Sequence, residues 1–234
     1  MGTLAFLLQT AVVTRALFLM PFEGKRRYQK LKADVARDAL ARARFFRRFI
    51  VTWWVVALAV LISTRFSLSE LGVVPMRGLG AWGVIAGWLL LLSWPVLRAR
   101  SSAPYREAVR EQLQRVPALL PGTKEERWLF AAVSITAGVC EELVFRGLMP
   151  LYFAHFFPTH GHALGLGISI VGFGVAHWYQ GVRGVVLATL LGGLFAFGAW
   201  ASGSVAAAMI FHAANDLRFL ALILALERPL PDKA

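Results

Sequence analysis

The sequence predicts an all-α fold, a polytopic transmembrane helical bundle of about six to eight spans. Three observations predict it. Of the 234 residues 58% are hydrophobic and 16% charged, against about 45–50% and about 25% in soluble domains, and the mean hydropathy is +0.61. Apolar runs near the length of about 20 residues that carries a helix across a bilayer recur along the chain. The basic residues behind the net charge of +12 fall mostly between those runs. Cytoplasmic loops gather Lys and Arg and anionic head groups attract such clusters, so the charge reads as membrane topology. Membrane lipids are the expected partners. Nucleic acid is excluded, because the basic stretches lack the folds that read bases. Cys140 is the only cysteine. It allows no disulfide framework and reads as a small buried hydrophobe.

Leu4 to Met20 is the weakest run, short and interrupted by Arg15. It reads as a retained first helix, crossing the bilayer or lying at its interface. Residues 21–48 form a basic connector, and Phe49 to Thr64 is the next run. A loop with Glu70, Pro75 and Arg77 leads to a third, about Leu79–Leu97. A second basic connector, residues 98–127, holds Glu111 and Arg115 four apart, a spacing that supports a short surface helix. Trp128 to Phe157 is one long apolar stretch broken by Glu141, Glu142, Arg146 and Pro150. Beyond the loop Phe157 to His162, runs over about Ala163–Trp178, Gly184–Trp200 and Ser204–Leu226 have connectors short enough to make them antiparallel neighbours. Residues 1–127 are thus an N-terminal membrane part with two basic connectors. Residues 128–226 are a core carrying the chemistry, and residues 227–234 a short tail. The basic connectors, Arg183 and the tail with Arg228 and Lys233 would share the cytoplasmic side.

Ionisable residues inside spans cost roughly 2.5–3.5 kcal/mol on insertion scales and mark functional candidates. Here they are Glu141, Glu142 and Arg146 in one run, His177 at the end of another, and His212, Asp216 and Arg218 in the last. Gly165, Gly167, Gly172, Gly174, Gly192 and Gly193 would let the helices close around them. Successive helical residues turn by about 100°, so Glu141 and Glu142 face different ways. Glu142 lies four before Arg146, in ion-pair register, which leaves Glu141 as the candidate general base. His212 and Asp216 are four apart, so Asp216, or Asn215 beside it, could fix the His212 tautomer. Phe173 lies one turn before His177. A glutamate and two histidines from three helices could position a water and stabilise an oxyanion. Glu141, His177 and His212 could equally hold a divalent metal such as zinc. Each feature also has a plain structural reading: an ion pair, an interfacial histidine, a helix-packing hydrogen bond. His155, His160 and His162 fall in or near a loop.

EELVFRG (141–147), FGVAH (173–177) and HAAND (212–216) resemble, in that order, the motifs of the CPBP family of CAAX-protease and bacteriocin-processing intramembrane proteases. GLFAFGAW, followed by the Gly203-Ser204 turn, is similar to the family's intervening segment. The resemblance covers about residues 125–226. It implies that Glu141 and His177 activate the hydrolytic water, that Glu142 and Arg146 support the site, and that His212 and Asp216 stand as the oxyanion-stabilising pair. Asp216 occupies the place of an Asn in prenyl-protein members; an ionised acid accepts rather than donates, so orienting His212 suits it better. The implied activity is endopeptidase cleavage of membrane-associated or lipid-modified proteins, with an unidentified membrane-protein or peptide substrate. The short loops resemble bacterial members, which implies a cell inner membrane. Two other readings stand beside it: a non-enzymatic immunity or scaffolding protein with a structural polar core, and a proton-coupled transporter. Transport predicts repeated broken helices in two similar halves, and these halves do not resemble one another.

One expectation conflicts with the motifs. These boundaries set Glu141 roughly 20 Å from the cytoplasmic end of its span and His177 at that end of the next. The two meet only if a helix is broken, tilted or shorter than drawn.

Overall fold

Eight helices build the part of the chain described, residues 2–228 of a computed structural model; they are α1 (Thr3–Val35), α2 (Ala41–Ser63), α3 (Gly78–Ser101), α4 (Ala103–Leu113), α5 (Lys124–Phe156), α6 (Gly161–Ala176), α7 (Gly181–Ser202) and α8 (Val205–Glu227). No strand occurs among the described residues, and Lys233 of the expected tail lies outside them. All but α4 and α6 are long and apolar enough to cross a membrane, α7 together with the short turn before it. The all-α polytopic bundle is therefore what the chain forms.

Several boundaries move. The first helix runs past Met20 to Val35, and α2 begins at Ala41 rather than Phe49, so most of the first basic connector is helical. Only residues 36–40 turn the chain, where the Arg44 guanidinium and the Leu40 N–H hold the Asp38 carboxyl below its usual range. Two helices are long because each contains a π turn, at Arg15–Leu19 and at Leu143–Leu148. Each ends two residues before a proline, Pro21 and Pro150. A proline lacks the N–H of the i→i−4 ladder and crowds the carbonyl one turn earlier, and the wider π turn absorbs the mismatch without ending the helix. The surface helix in the second connector forms as α4, but the ion pair on it is Arg110 to Glu107 at 3.0 Å. Arg115 lies past the last helical residue, out of register with Glu111.

α5 is the axis of the bundle. It packs on α2, α8 and α6, while α8 also contacts α3 and α7. A capping box of Thr123 and Glu126 starts it, and Arg42 of α2 donates to Glu126 at 2.8 Å and to the Ala118 carbonyl at 2.9 Å. Glycine sets the closest approaches. A Cβ on Gly138 would stand 2.7 Å from the Ala213 Cβ of α8, and one on Gly165 would stand 2.6 Å from the Met149 carbonyl oxygen of α5. Gly167 and Gly193, in contrast, have nothing within 4 Å and draw no helices together. The short connector between α7 and α8 turns at Gly203, with φ +69°; Ser204 then caps α8 and donates its hydroxyl to the Val74 carbonyl at 2.6 Å.

The short helix α6 bears on the conflict of depth. Its 16 residues reach about 24 Å, less than a hydrocarbon core of about 30 Å. It starts at the end of the bundle opposite the basic connectors and stops inside. A 3-10 turn, Trp178–Gln180, then hands the chain to α7. His177, at the end of α6, lines the same cavity as Glu141.

Candidate active site

The polar residues of α5, α6 and α8 sort into two layers. Glu141, His177, His212 and Asp216 all line a cavity of about 1350 Å³. Glu142 and Arg146 do not; they lie behind it, in the closed interior, with side chains 0% and 1% exposed. The turn of about 100° between neighbouring residues is what sends Glu141 to the cavity and Glu142 away from it.

Glu142 is the hub of the inner layer. Its Oε1 accepts from Arg146 Nη1 at 3.0 Å and faces His212 Nδ1 at 2.9 Å, the geometry of an imidazole N–H donating to a carboxylate. Arg146 Nη2 donates in turn to the Gly192 carbonyl at 2.7 Å. A Cβ on Gly192 would stand 2.9 Å from that nitrogen, so α7 can present its carbonyl there only without a side chain. The guanidinium lies 4.7 Å over the Phe173 ring, with Phe145 and Phe195 at 5.9 and 5.8 Å. Aromatic faces attract a cation where water is absent. The pair therefore bridges three helices and is wrapped in apolar rings.

The histidines are oriented by different means. His177 Nδ1 is 2.8 Å from the Phe173 carbonyl. A carbonyl can only accept, so Nδ1 carries the proton and the other nitrogen of the neutral ring is left as an acceptor. His212 takes its orientation chiefly from Glu142, not from Asp216 as its spacing suggested. Asp216 Oδ2 is 3.6 Å from His212 Nε2, beyond a good hydrogen bond. Asp216 instead accepts from Asn215 Nδ2 at 3.2 Å. The Phe195 ring stacks on the His212 imidazole, centroids 4.9 Å apart at 19°, and Phe173 meets it edge-on at 5.4 Å.

Three residues that helical spacing does not mark also shape the site: Phe195, Trp88 and Tyr179. Phe195 lies in GLFAFGAW, where an aromatic at helical spacing looks like ordinary core. Trp88 of α3 stacks on Phe211 at 5.1 Å and donates its indole N–H to the Phe211 carbonyl at 3.3 Å, bracing the turn that holds His212. Tyr179 stands 5.9 Å from the His177 ring and 5.4 Å from Tyr28 of α1. Nothing local in the sequence marks either one. Cys140 is buried and free. His155 and His162 are on the opposite end of the bundle from the cavity mouth, and His160 sits in the turn before α6.

A metal would need at least three ligands together. Among the described residues no three His, Cys, Asp or Glu side chains are so arranged. Glu141, His177 and His212 share a wall without converging on one point, so no step is routed through a metal here.

A carboxylate and a histidine at the floor of an open cavity, braced from behind by a buried acid–arginine–histidine network within a membrane bundle, define the class: a polytopic protein with a polar site sunk below its surface. Residues 123–218 match the family described as Type II CAAX prenyl endopeptidase Rce1-like, the segment that carries the resemblance to the CPBP family. Comparison with curated proteins and with solved structures gives no match.

Proposed function

We propose that the protein is an intramembrane endopeptidase in which Glu141 and His177 activate water against a peptide bond bound in the cavity. The observation that carries this reading is the separation of two adjacent glutamates. Glu142 is tied to Arg146 and His212, whereas Glu141, 6% exposed, faces the cavity with no hydrogen bond from a described side chain. A carboxylate free to take a proton and close to where water can stand has the geometry of a general base.

In the reaction, Glu141 accepts a proton from water held also by the free nitrogen of His177. The hydroxide oxygen bonds to the scissile carbonyl carbon, and the carbonyl electrons move onto oxygen. His212, donating Nδ1–H to Glu142, has its Nε2 edge left for the cavity. In its protonated form it gives Nε2–H to the oxyanion, with Glu142 and Asp216 balancing its charge. Collapse breaks the C–N bond, and the departing nitrogen takes the proton that Glu141 received. Arg146 keeps Glu142 ionised and fixed. The basic end of the bundle, where the cavity opens, faces the cytoplasm in this reading, and the substrate is a membrane-associated or lipid-modified protein.

The test compares membranes holding wild-type protein with membranes holding Glu141→Gln at matched levels. Membrane-protein fragments present with wild type should vanish with the variant, a loss of at least about 100-fold in cleavage, while its thermal midpoint stays within a few degrees. Identical fragment profiles from the two would sink the endopeptidase reading.

A further inference from the structure

The mouth of the cavity carries positive charge that the protein does not neutralise. Arg48 of α2, Arg115 after α4 and Arg183 of α7 line the same cavity as Glu141 and His177. All three are exposed, and none forms a salt bridge among the described residues. The neighbouring cations differ. Arg15 and Arg27 share Glu23 at 3.0 and 3.2 Å, Arg47 meets Glu125 at 2.5 Å, and Arg44 pairs with Asp38. Lys30 of α1, which also lines the cavity, is like the three arginines without a salt bridge among the described residues. Three arginines from three separate elements, converging on one mouth without acids, remain as surplus.

Topology alone explains basic residues at this end, but not their direction. Arginines kept for the bilayer would lie on the outer surface of the bundle, toward lipid head groups. These three stand on the lining of the cavity that also holds Glu141 and His177. The planar guanidinium matches a carboxylate two bonds at a time, and a low-dielectric cleft lined by one sign of charge concentrates the opposite sign.

We propose that the cavity mouth is a carboxylate-binding subsite, which takes the acidic side chains or the terminal α-carboxylate of a peptide and so sets the adjacent peptide bond over Glu141 and His177. This rests on the endopeptidase reading for its consequence, but not for the binding itself. Arg48, Arg115 and Arg183 are here positioning residues for substrate.

The test uses the full chain carrying Glu141→Gln, in nanodiscs of phosphatidylcholine, and fluorescence anisotropy of labelled peptides. Four peptides share one apolar sequence, with Asp or Asn beside it and a free or amidated C-terminus. A carboxylate should tighten binding about tenfold, and raised salt should erode that advantage. The Asp and free-terminus arms tell which carboxylate is read. Arg48→Gln, Arg115→Gln and Arg183→Gln together should bring the acidic peptides to the affinity of the neutral one. An unchanged thermal midpoint shows that the variant is folded, and single Arg→Gln variants serve if the triple one is not. Equal affinity for all four peptides overturns the subsite. So does a charge preference that survives the triple substitution, or a variant that loses only phosphatidylglycerol retention in mixed-lipid discs, which would assign the arginines to lipid. Wild-type protein then separates the two readings. Charge-dependent binding with no hydrolysis leaves the subsite and removes the endopeptidase; hydrolysis blind to charge does the reverse.

Discussion

Arg146 and Glu141 lie within two turns of one helix, and their replacement should have opposite kinds of consequence. Arg146→Ala removes the cation from a buried network and leaves Glu142 with only His212 as partner, which should cost about 3–5 kcal/mol. The measurement is thermal denaturation in detergent, with Glu141→Gln as the companion. A comparable loss of stability in both would show that the two acids do not divide the work as argued. Arg146→Lys restores the charge but not the second hydrogen bond to Gly192 or the planar stack on Phe173. It should fall between the two, because lysine is a point charge without a fork.

At the scale of the helices, the site depends on how closely α5 and α8 approach. Gly138 is one turn from Glu142, and the Cβ of an alanine there would be 2.7 Å from the Ala213 Cβ and 2.8 Å from the Met209 carbonyl oxygen. Gly138→Ala must push the helices apart, at about 1–3 kcal/mol, and lengthen the Glu142–His212 contact. Gly167→Ala on α6 has open space around its Cβ and should change stability by about 0–1 kcal/mol in the favourable direction. Paired unfolding and peptide-cleavage measurements on the two variants check this. An active, fully stable Gly138→Ala protein would mean that the interface has slack the close contacts deny. The π turns belong to this scale as well: one starts directly after Glu142 and contains Arg146.

Over the whole molecule, the cavity runs from the basic end to the site while the opposite end is closed by the α2–α3 and α7–α8 turns. With Cys140 replaced by Ala, Thr52→Cys on the cavity wall should react with a membrane-impermeant maleimide added from the cytoplasmic side. Ser69→Cys, in the α2–α3 turn, should react only from the other side. Labelling of both from one side would reject the proposed orientation. One core cluster extends from Val12 and Val13 of α1 through Trp53, Phe145 and Phe173 to Phe211, so the N-terminal helices form a wall of the site.

Composition and spacing alone give the solvent, the helices and the candidate residues of the site. Apolar runs in a chain this poor in charge have no stable place but lipid. Costly ionisable residues at helical spacing announce a site, and the EELVFRG, FGVAH and HAAND motifs implied the family. Helix ends were less legible, because the basic stretch after Met20 and the prolines read as interruptions, whereas π turns carry the helix through both. Which side chains meet is settled by packing. That His212 answers to Glu142 rather than Asp216, that Phe195 stacks on it, and that His177 shares a cavity with Glu141 follow from contacts between helices far apart in the chain. Local periodicity fixes the face on which a residue stands; the depth at which α6 stops, and the helix opposite that face, depend on packing across the bundle.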